Sequence, residues 1–230
     1  MVKLSLAKTV QYLIDGDASI QDAIERGYAN FSAIARLLKP KAERILGRKV
    51  TLEGMITSVK RAKTKYKPSR KQLKVIAESV IIIRTNLAKI SLEKTRRNLE
   101  KARLISAEFP EAFFQILEGA SALTLITDER IFSQVRSKFE DTGILDERGN
   151  LAAVIVQSPR EIVDTPGCVM RFYNAISRRG INIEETISCY TETIIVLKME
   201  DSVKVYSILA DLISDARKSL EAYSLIAHRI

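Results

Sequence analysis

Apolar side chains in the first sixty residues recur every three or four positions, which is the spacing of amphipathic helices. Such stripes, separated by Gly16, Gly27 and Gly47, predict helices over residues 4–14, 19–27, 30–46 and 51–61. Ser19 is expected to begin the second helix, and Pro40 interrupts or bends the third. The first third of the chain is therefore predicted to be helical.

The third and fourth of these helices resemble the helix-turn-helix of small winged-helix regulators, whose second helix enters the major groove. Thr51 is expected to cap the fourth helix. The connection Lys39–Lys49 is longer than the roughly 3–4 residues of a simple helix-turn-helix turn. The alternative is a small helical bundle that only packs against the rest of the chain. The predicted nucleic-acid-binding residues lie opposite the apolar stripe and in the basic stretch that follows: Ser58, Lys60, Arg61, Lys63, Lys65 and Lys67.

The last third of the chain alternates strand and helix patterns in the order β-α-β-β-α-β. A β-branched run over residues 151–158 is followed by a helix that Thr165 is expected to cap, with Pro166 in its first turn. Strands over 181–189 and 193–199, a helix from Asp201 or Ser202, and a last strand over 220–230 complete the order. This order predicts an antiparallel sheet with two helices on one face.

Residues 164–185 of this region resemble the opening of an ACT domain, the amino-acid-sensing module of aspartokinases and phosphoglycerate dehydrogenases. The matching motifs are Pro166-Gly167 at the helix start and Gly180-Ile-Asn-Ile183 at the entry to the second strand. The resemblance covers about residues 150–230. It implies a ferredoxin-like βαββαβ fold that can bind a small amino acid.

Carried over by position, the resemblance implies an effector site between the loop before the helix and the second strand. Gly167 lets a ligand approach the backbone amides of the helix start, which favour a carboxylate. The alternative is that these residues only shape a turn. The candidate ligand-binding residues are Asp164, Thr165, Gly167, Asn182 and Ile183.

The middle third predicts a second, weaker copy of the same order. A long β-rich stretch over 73–92 precedes a basic helix over 95–105 and a hairpin around Glu118-Gly119. Asp128 is expected to cap the next helix, and a turn is expected over 146–150. A fourth strand is missing, because only residues 143–146 remain for it. No Pro-Gly pair marks the first loop, so we expect no ligand there.

Charge divides the chain unevenly, since residues 1–75 carry 17 Lys and Arg against 6 Asp and Glu within a total net charge of +9. The stretch from Lys60 to Lys74 holds eight cations and no acid. Such a tract suits phosphate contact, and a solvated linker is the alternative.

The sequence lacks the residues that several kinds of catalytic, metal or nucleotide-binding site require. The single histidine, His228, argues against a histidine base or a multi-histidine metal site, and two cysteines cannot build a structural zinc site. The chain contains no Gly-x-Gly-x-x-Gly or Walker motif. We therefore expect no metal, no cofactor and no enzyme activity. Apolar runs too short for a membrane helix, and the absence of a recognisable export signal, favour a cytoplasmic protein.

These patterns together predict an α+β chain with a helix-turn-helix-like domain at 1–66, a degenerate ACT-like domain at 67–147 and an ACT domain at 148–230. The resemblance implies a regulator that binds DNA through its first helices and a small amino acid through the ACT domain. It also implies a homodimer or higher homo-oligomer formed through the ACT sheets. The alternative is a regulatory subunit that does not bind DNA and associates with an enzyme of amino-acid synthesis.

Overall fold

The computed structural model describes residues 5–63 and 69–227, with side chains described through residue 222. The chain divides into two compact units, Met1–Pro68 and Ser69–Ile230, which are unit 1 and unit 2 below. No helix in the described part of the chain is long and apolar enough to cross a membrane.

The described part of unit 1 contains four helices that share one apolar core. Each helix begins at a side chain that accepts a backbone N–H of its first turn, as capping requires. These caps are Ser5, Asp17, Asn30 and Thr51. Val10, Ile14, Leu38, Met55 and Val59 lie in the core, and each is at most 2% exposed. The helices are α1 (Leu6–Asp15), α2 (Ala18–Glu25), α3 (Phe31–Leu46) and α4 (Leu52–Arg61).

Two details of unit 1 correct the sequence predictions. Asp17 caps α2, so Ser19 lies inside the helix and does not begin it. The helix α3 runs through Pro40 without ending, and it stops only at Gly47, whose φ of 64° is left-handed. The connection to α4 is consequently residues 47–51, much shorter than the predicted connection of 39–49. Glu43 stabilises it by accepting the backbone N–H of Val50 at 3.0 Å.

Unit 2 combines one six-stranded antiparallel sheet with helices in the strand order β2-β3-β1-β4-β6-β5. Its strands are β1 (Val80–Glu93), β2 (Phe114–Glu118), β3 (Ala122–Asp128), β4 (Ile144–Gln157), β5 (Glu185–Cys189) and β6 (Glu192–Lys198). Its helices are α5 (Arg70–Ala77), α6 (Arg96–Glu108), α7 (Glu129–Arg136), α8 (Cys168–Ser177) and α9 (Ser202–Ala227).

The order β-α-β-β-α occurs twice in unit 2. The first run extends from β1 to α7, and the second run extends from β4 to α9. The two long strands β1 and β4 pair with each other along most of their length. The second part of β1 also pairs with β3, and the second part of β4 pairs with β6. The first part of each long strand therefore serves as the fourth strand of the other run. This exchange supplies the strand that seemed missing before residue 147.

The sheet folds back on itself where β1 and β4 are irregular. Their pairing shifts register between Arg84 and Leu87, and Asn86 and Asn150 have positive φ values of 57° and 54°. Both edge strands contribute to one apolar cluster, since Leu117 of β2 and Ile187 of β5 pack on it. That cluster also holds Leu87, Ile126, Leu151, Ala153, Ile194 and Val196, each at most 3% exposed.

The helices cover two further apolar clusters of unit 2. Helices α5, α8 and α9 pack with the second part of β4 and with β6, and Phe172 of α8 is fully buried there. Helices α6 and α7 pack with β3 and the second part of β1. Unit 2 is thus built from two helix-covered layers with an apolar interior between them.

Several sequence predictions for unit 2 are wrong. Residues 73–77 belong to α5, because Ser69 caps a helix by accepting the Gln72 N–H. The predicted turn at 146–150 is part of β4, since pairing with β1 continues through it. Asp128 makes no capping hydrogen bond, because its carboxylate is held by Arg84.

The predicted last strand is also absent from the described residues. Residues 220–227 continue α9, whose inner face packs against α5, and residues 228–230 lie outside the described part of the chain. The α+β class with helices and an antiparallel sheet is confirmed.

Candidate functional site

The connection between β4 and α8 carries three of the candidate ligand-binding residues, Asp164, Thr165 and Gly167. It includes a short 3₁₀ helix at Arg160–Asp164. Thr165 is 5% exposed, and its hydroxyl donates to the Glu161 carbonyl, so it stabilises this turn. The prediction that Thr165 caps α8, with Pro166 in its first turn, is therefore wrong, because Gly167 occupies the cap position and α8 begins at Cys168.

Helix α8 begins without a side-chain cap. Gly167 has a φ of 88°, in the left-handed region that favours glycine, and no side chain in the described part of the chain bonds to the first-turn amides. The corresponding helix of the first run, α6, is capped by the Thr95 hydroxyl, which accepts the Asn98 N–H. Uncapped first-turn amides carry partial positive charge and can bind an anion.

Helix α5 lies beside this helix start and contacts the loop through two side chains. The Lys71 ammonium donates to the Asp164 carbonyl at 3.4 Å. The Gln72 amide, 3% exposed, donates to the Pro166 carbonyl at 3.3 Å. Helix α5, which belongs to neither run, therefore stabilises the geometry of the loop around Gly167. The site residues predicted from the sequence do not include Gln72, although Ser69-x-x-Gln72 is a helix-capping pattern.

Two cations make the start of α8 electropositive. Burial raises the pKa of the Cys168 thiol, while the positive charges of Arg171 and Lys71 oppose that shift. Among the described residues, the Nη1 atom of Arg171 is buried and has no hydrogen-bond acceptor. A buried donor without a partner is costly, so a ligand oxygen would be stabilised here.

The other two candidate residues, Asn182 and Ile183, follow α8. The Asn182 side chain is exposed and donates to the Glu184 carboxylate at 3.3 Å. Ile183 is partly buried against the cluster that also contains Ile162 and Cys168. Within the described residues, no hydrogen bond or ion pair joins Asn182 or Ile183 to the Gly167 loop.

Glu184 of the same region lies in a buried cluster of charged side chains. Its side chain is 4% exposed and lies 3.1 Å from Arg148 and 3.4 Å from Lys89. Lys89 is only 6% exposed and also contacts Glu185 at 3.4 Å. No sequence motif indicates this cluster, since it forms only when β1 meets β5.

The candidate nucleic-acid-binding residues of unit 1 differ in their surroundings. Lys60, Arg61 and Lys63 are exposed at the end of α4. The Ser58 hydroxyl instead donates to the Gly54 carbonyl at 2.8 Å, and Ser58 is only partly exposed. Lys65 and Lys67 lie outside the described residues.

No protein-family model and no curated protein sequence matches this chain. The regulatory subunit of aspartate kinase from Thermus thermophilus matches with a TM-score of 0.50 and 14% identity, over 58% of this chain and 97% of that one. The regulatory subunit from Thermus flavus matches with a TM-score of 0.50 and 15% identity, over 57% and 95%.

Aspartate kinase from Clostridium acetobutylicum, an allosteric enzyme, matches with a TM-score of 0.49 and 17% identity. The match covers 58% of this chain and 34% of that one, so this chain corresponds to about a third of that enzyme's length. The two regulatory subunits confirm the predicted ACT-like fold, and at these identities the likeness is one of fold.

Proposed function

We propose that this chain is a non-catalytic regulatory protein whose unit 2, a tandem pair of ACT-like domains, binds a small amino acid. The observation that carries the proposal is the uncapped start of α8 at Gly167, with Lys71 and Arg171 beside it. Backbone amides and two cations at one helix start are suited to a carboxylate. At the equivalent helix start of the first run, that of α6, the Thr95 hydroxyl already accepts a first-turn N–H.

In this proposal the effector carboxylate binds the first-turn amides of α8, and Arg171 supplies a further donor. The effector's ammonium group requires an acceptor, for which Asp164 is the nearest candidate along the chain. Asn182 and Ile183 form the other wall, as the ACT resemblance implies, with one polar and one apolar side chain. Thr165 supports the loop and contacts no ligand.

A second part of the proposal is that unit 1 transmits the response by binding duplex DNA. Lys60, Arg61 and Lys63 are exposed together at the end of α4, and the α3–α4 connection of residues 47–51 is close to helix-turn-helix length. The alternative output is association with an enzyme of amino-acid synthesis, which the likeness to regulatory subunits of aspartate kinase favours.

The amino-acid proposal is tested by a thermal-shift screen of the whole chain against the twenty amino acids. A ligand that binds only the folded state adds about 2.7 kcal/mol at 100 times its dissociation constant. We expect one amino acid, or a small group of related ones, to raise the melting temperature, and Asn182→Ala to reduce that shift. If every amino acid leaves the melting temperature unchanged, the proposal is wrong.

The two outputs are separated by duplex binding at several salt concentrations. Replacing Lys60, Arg61 and Lys63 with glutamine should lower the salt slope by about 3, since each phosphate contact contributes about 0.9. A matched control replaces Arg96, Arg97 and Arg103, which are exposed on α6 in unit 2. An equal reduction of the salt slope in both triple variants would contradict a DNA role for α4. The remaining candidate output would then be association with an enzyme of amino-acid synthesis.

A further inference from the structure

Unit 2 contains a repeated motif that places two related clefts at its two irregular strands. The sequence Arg-x-Asn-Leu-Ala occurs at residues 84–88 in β1 and at 148–152 in β4. The leucine of each motif pairs with the last residue of the neighbouring strand, Asp128 for Leu87 and Lys198 for Leu151. The two clefts therefore have the same backbone framework with different charged side chains.

The cleft in the first run, the Arg84 cleft, measures about 490 Å³ and is lined by Ile83, Arg84, Thr85, Asn86, Asp128 and Arg130. Asp128 is only 11% exposed at its side chain and accepts hydrogen bonds from Nε and Nη2 of Arg84 at 2.9–3.2 Å. The Arg84 guanidinium also lies 5.2 Å from the centre of the Phe113 ring. Arg84 is thus held in one orientation by a carboxylate and an aromatic ring.

The remaining donors of the Arg84 cleft are available to a ligand. Among the described residues, Nη1 of Arg84 and the side-chain amide of Asn86 have no hydrogen-bond partner. Arg130 is 70% exposed and its nearest acid, Asp128, is 3.6 Å away. Two arginines against one aspartate leave the cleft with one excess positive charge.

The cleft in the second run, the Arg148 cleft of about 370 Å³, is neutralised by the protein itself. Arg148 donates to Glu184 at 3.1 Å and to Asp146 at 3.1 Å. Lys198 lies 3.9 Å from Glu200. This cleft has the same motif but no excess cation, so it is a natural control for the first.

We propose that the Arg84 cleft binds one small anion per chain, through the Nη1 edge of Arg84, the Arg130 guanidinium and the Asn86 amide. The ligand group is a carboxylate or a phosphate, since the Nη1 donors of an arginine held in place and the Arg130 guanidinium can make charge-assisted hydrogen bonds to either. The site is separate from the start of α8 and does not rest on the effector site proposed above.

The test is a ¹⁵N NMR titration of the whole chain with sodium succinate and, separately, with inorganic phosphate, at constant ionic strength set with chloride. We expect saturable shifts of the Thr85 and Asn86 amides. Arg130→Gln should weaken the affinity about tenfold, which corresponds to about 1.4 kcal/mol. Arg148→Gln should leave it within about twofold, since it lies in the other cleft.

Arg84→Lys provides a second variant that keeps the positive charge but removes the Nη1 donors, and it should also weaken binding. Saturation by succinate alone assigns a carboxylate ligand, saturation by phosphate alone assigns a phosphate, and saturation by both supports the shared anion chemistry. We expect a dissociation constant of about 1 mM or below, so an anion concentration of about 50 mM should saturate the site. The proposal is overturned if neither anion produces saturating shifts of the Thr85 and Asn86 amides by that concentration. It is equally overturned if Arg148→Gln weakens binding as much as Arg130→Gln.

Discussion

Asn86 and Asn150 occupy the same position of a repeated Arg-x-Asn-Leu-Ala motif, and both adopt a left-handed backbone, with φ of 57° and 54°. Asparagine tolerates this conformation better than other residues with a side chain. At each asparagine a long strand leaves one helix-covered layer of unit 2 and enters the other. The matching pair therefore explains how one sheet supplies two βαββα runs that share their long strands.

The left-handed backbone at Asn86 can be tested by stability. Asn86→Ala should lower the free energy of unfolding by about 1 kcal/mol, because alanine pays a steric cost at positive φ. Asn86→Gly should stay close to the unmodified chain, since glycine has no such cost. Urea denaturation of both variants measures the difference. Equal stability of the alanine and glycine variants would contradict the left-handed assignment.

The buried ion cluster around Lys89 should contribute strongly to stability. Lys89→Met leaves Glu184, 4% exposed at its side chain, with one cation fewer, and we expect a loss of about 3 kcal/mol in the free energy of unfolding. The double variant Lys89→Met, Glu184→Gln should recover part of that loss because it removes the unpaired charge. Lys94→Met is the control, since Lys94 pairs with Glu118 near the surface and should cost below about 1 kcal/mol. A Lys89→Met loss no larger than the control would refute a stabilising cluster.

Local patterns predicted the helices of unit 1 and the helix–hairpin order of unit 2, because a helix depends on neighbours three or four residues away and a hairpin on alternate residues and its turn. Predictions failed where distant contacts decide. Residues 146–150 combine turn-forming types, yet pairing with β1 keeps them extended. Residues 220–227 alternate weakly like a strand, but α9 continues along α5, where Arg217 donates to the Ala77 carbonyl at 2.8 Å.

The candidate site was predictable only in part. The Pro166-Gly167 motif indicated a helix start in this loop, but the cap is Gly167 at positive φ and not Thr165. Lys71 and Gln72 could not be assigned to it, because they lie in the basic stretch Lys60–Lys74, for which phosphate contact or a solvated linker is the expectation. Glu184 and Lys89 carry no motif, and the Arg84 cleft depends on a repeat of five residues that is short enough to overlook.

The two cysteines should differ sharply in reactivity. Burial raises the pKa of the Cys168 thiol, although Arg171 and Lys71 oppose the shift, and Cys189 is exposed. At pH 8 we expect one thiol to react rapidly with a disulfide reagent and the second only after unfolding. The Cys189→Ser variant should lose the rapid phase.

The direction of the Cys168 shift also fixes its effect on stability. A thiol whose pKa is higher in the folded chain favours folding below the ordinary thiol pKa of 9.0, and that contribution is lost as the pH rises through the folded-state pKa. Equal reaction rates of both thiols in the folded chain would refute the buried placement.

The central claim is that the start of α8 binds an amino-acid carboxylate, and calorimetric titration of two glycine variants tests it most directly. Gly167 and Gly180 both have positive φ, 88° and 69°, so Gly167→Ala and Gly180→Ala should each cost about 1–2 kcal/mol of stability. A methyl group at Gly180 meets no atom within 4 Å. The account predicts that the amino acid with the largest thermal shift binds the unmodified chain and Gly180→Ala equally, and binds Gly167→Ala at least about tenfold more weakly. Equal affinity of all three proteins, or no amino acid that binds the unmodified chain, would contradict it.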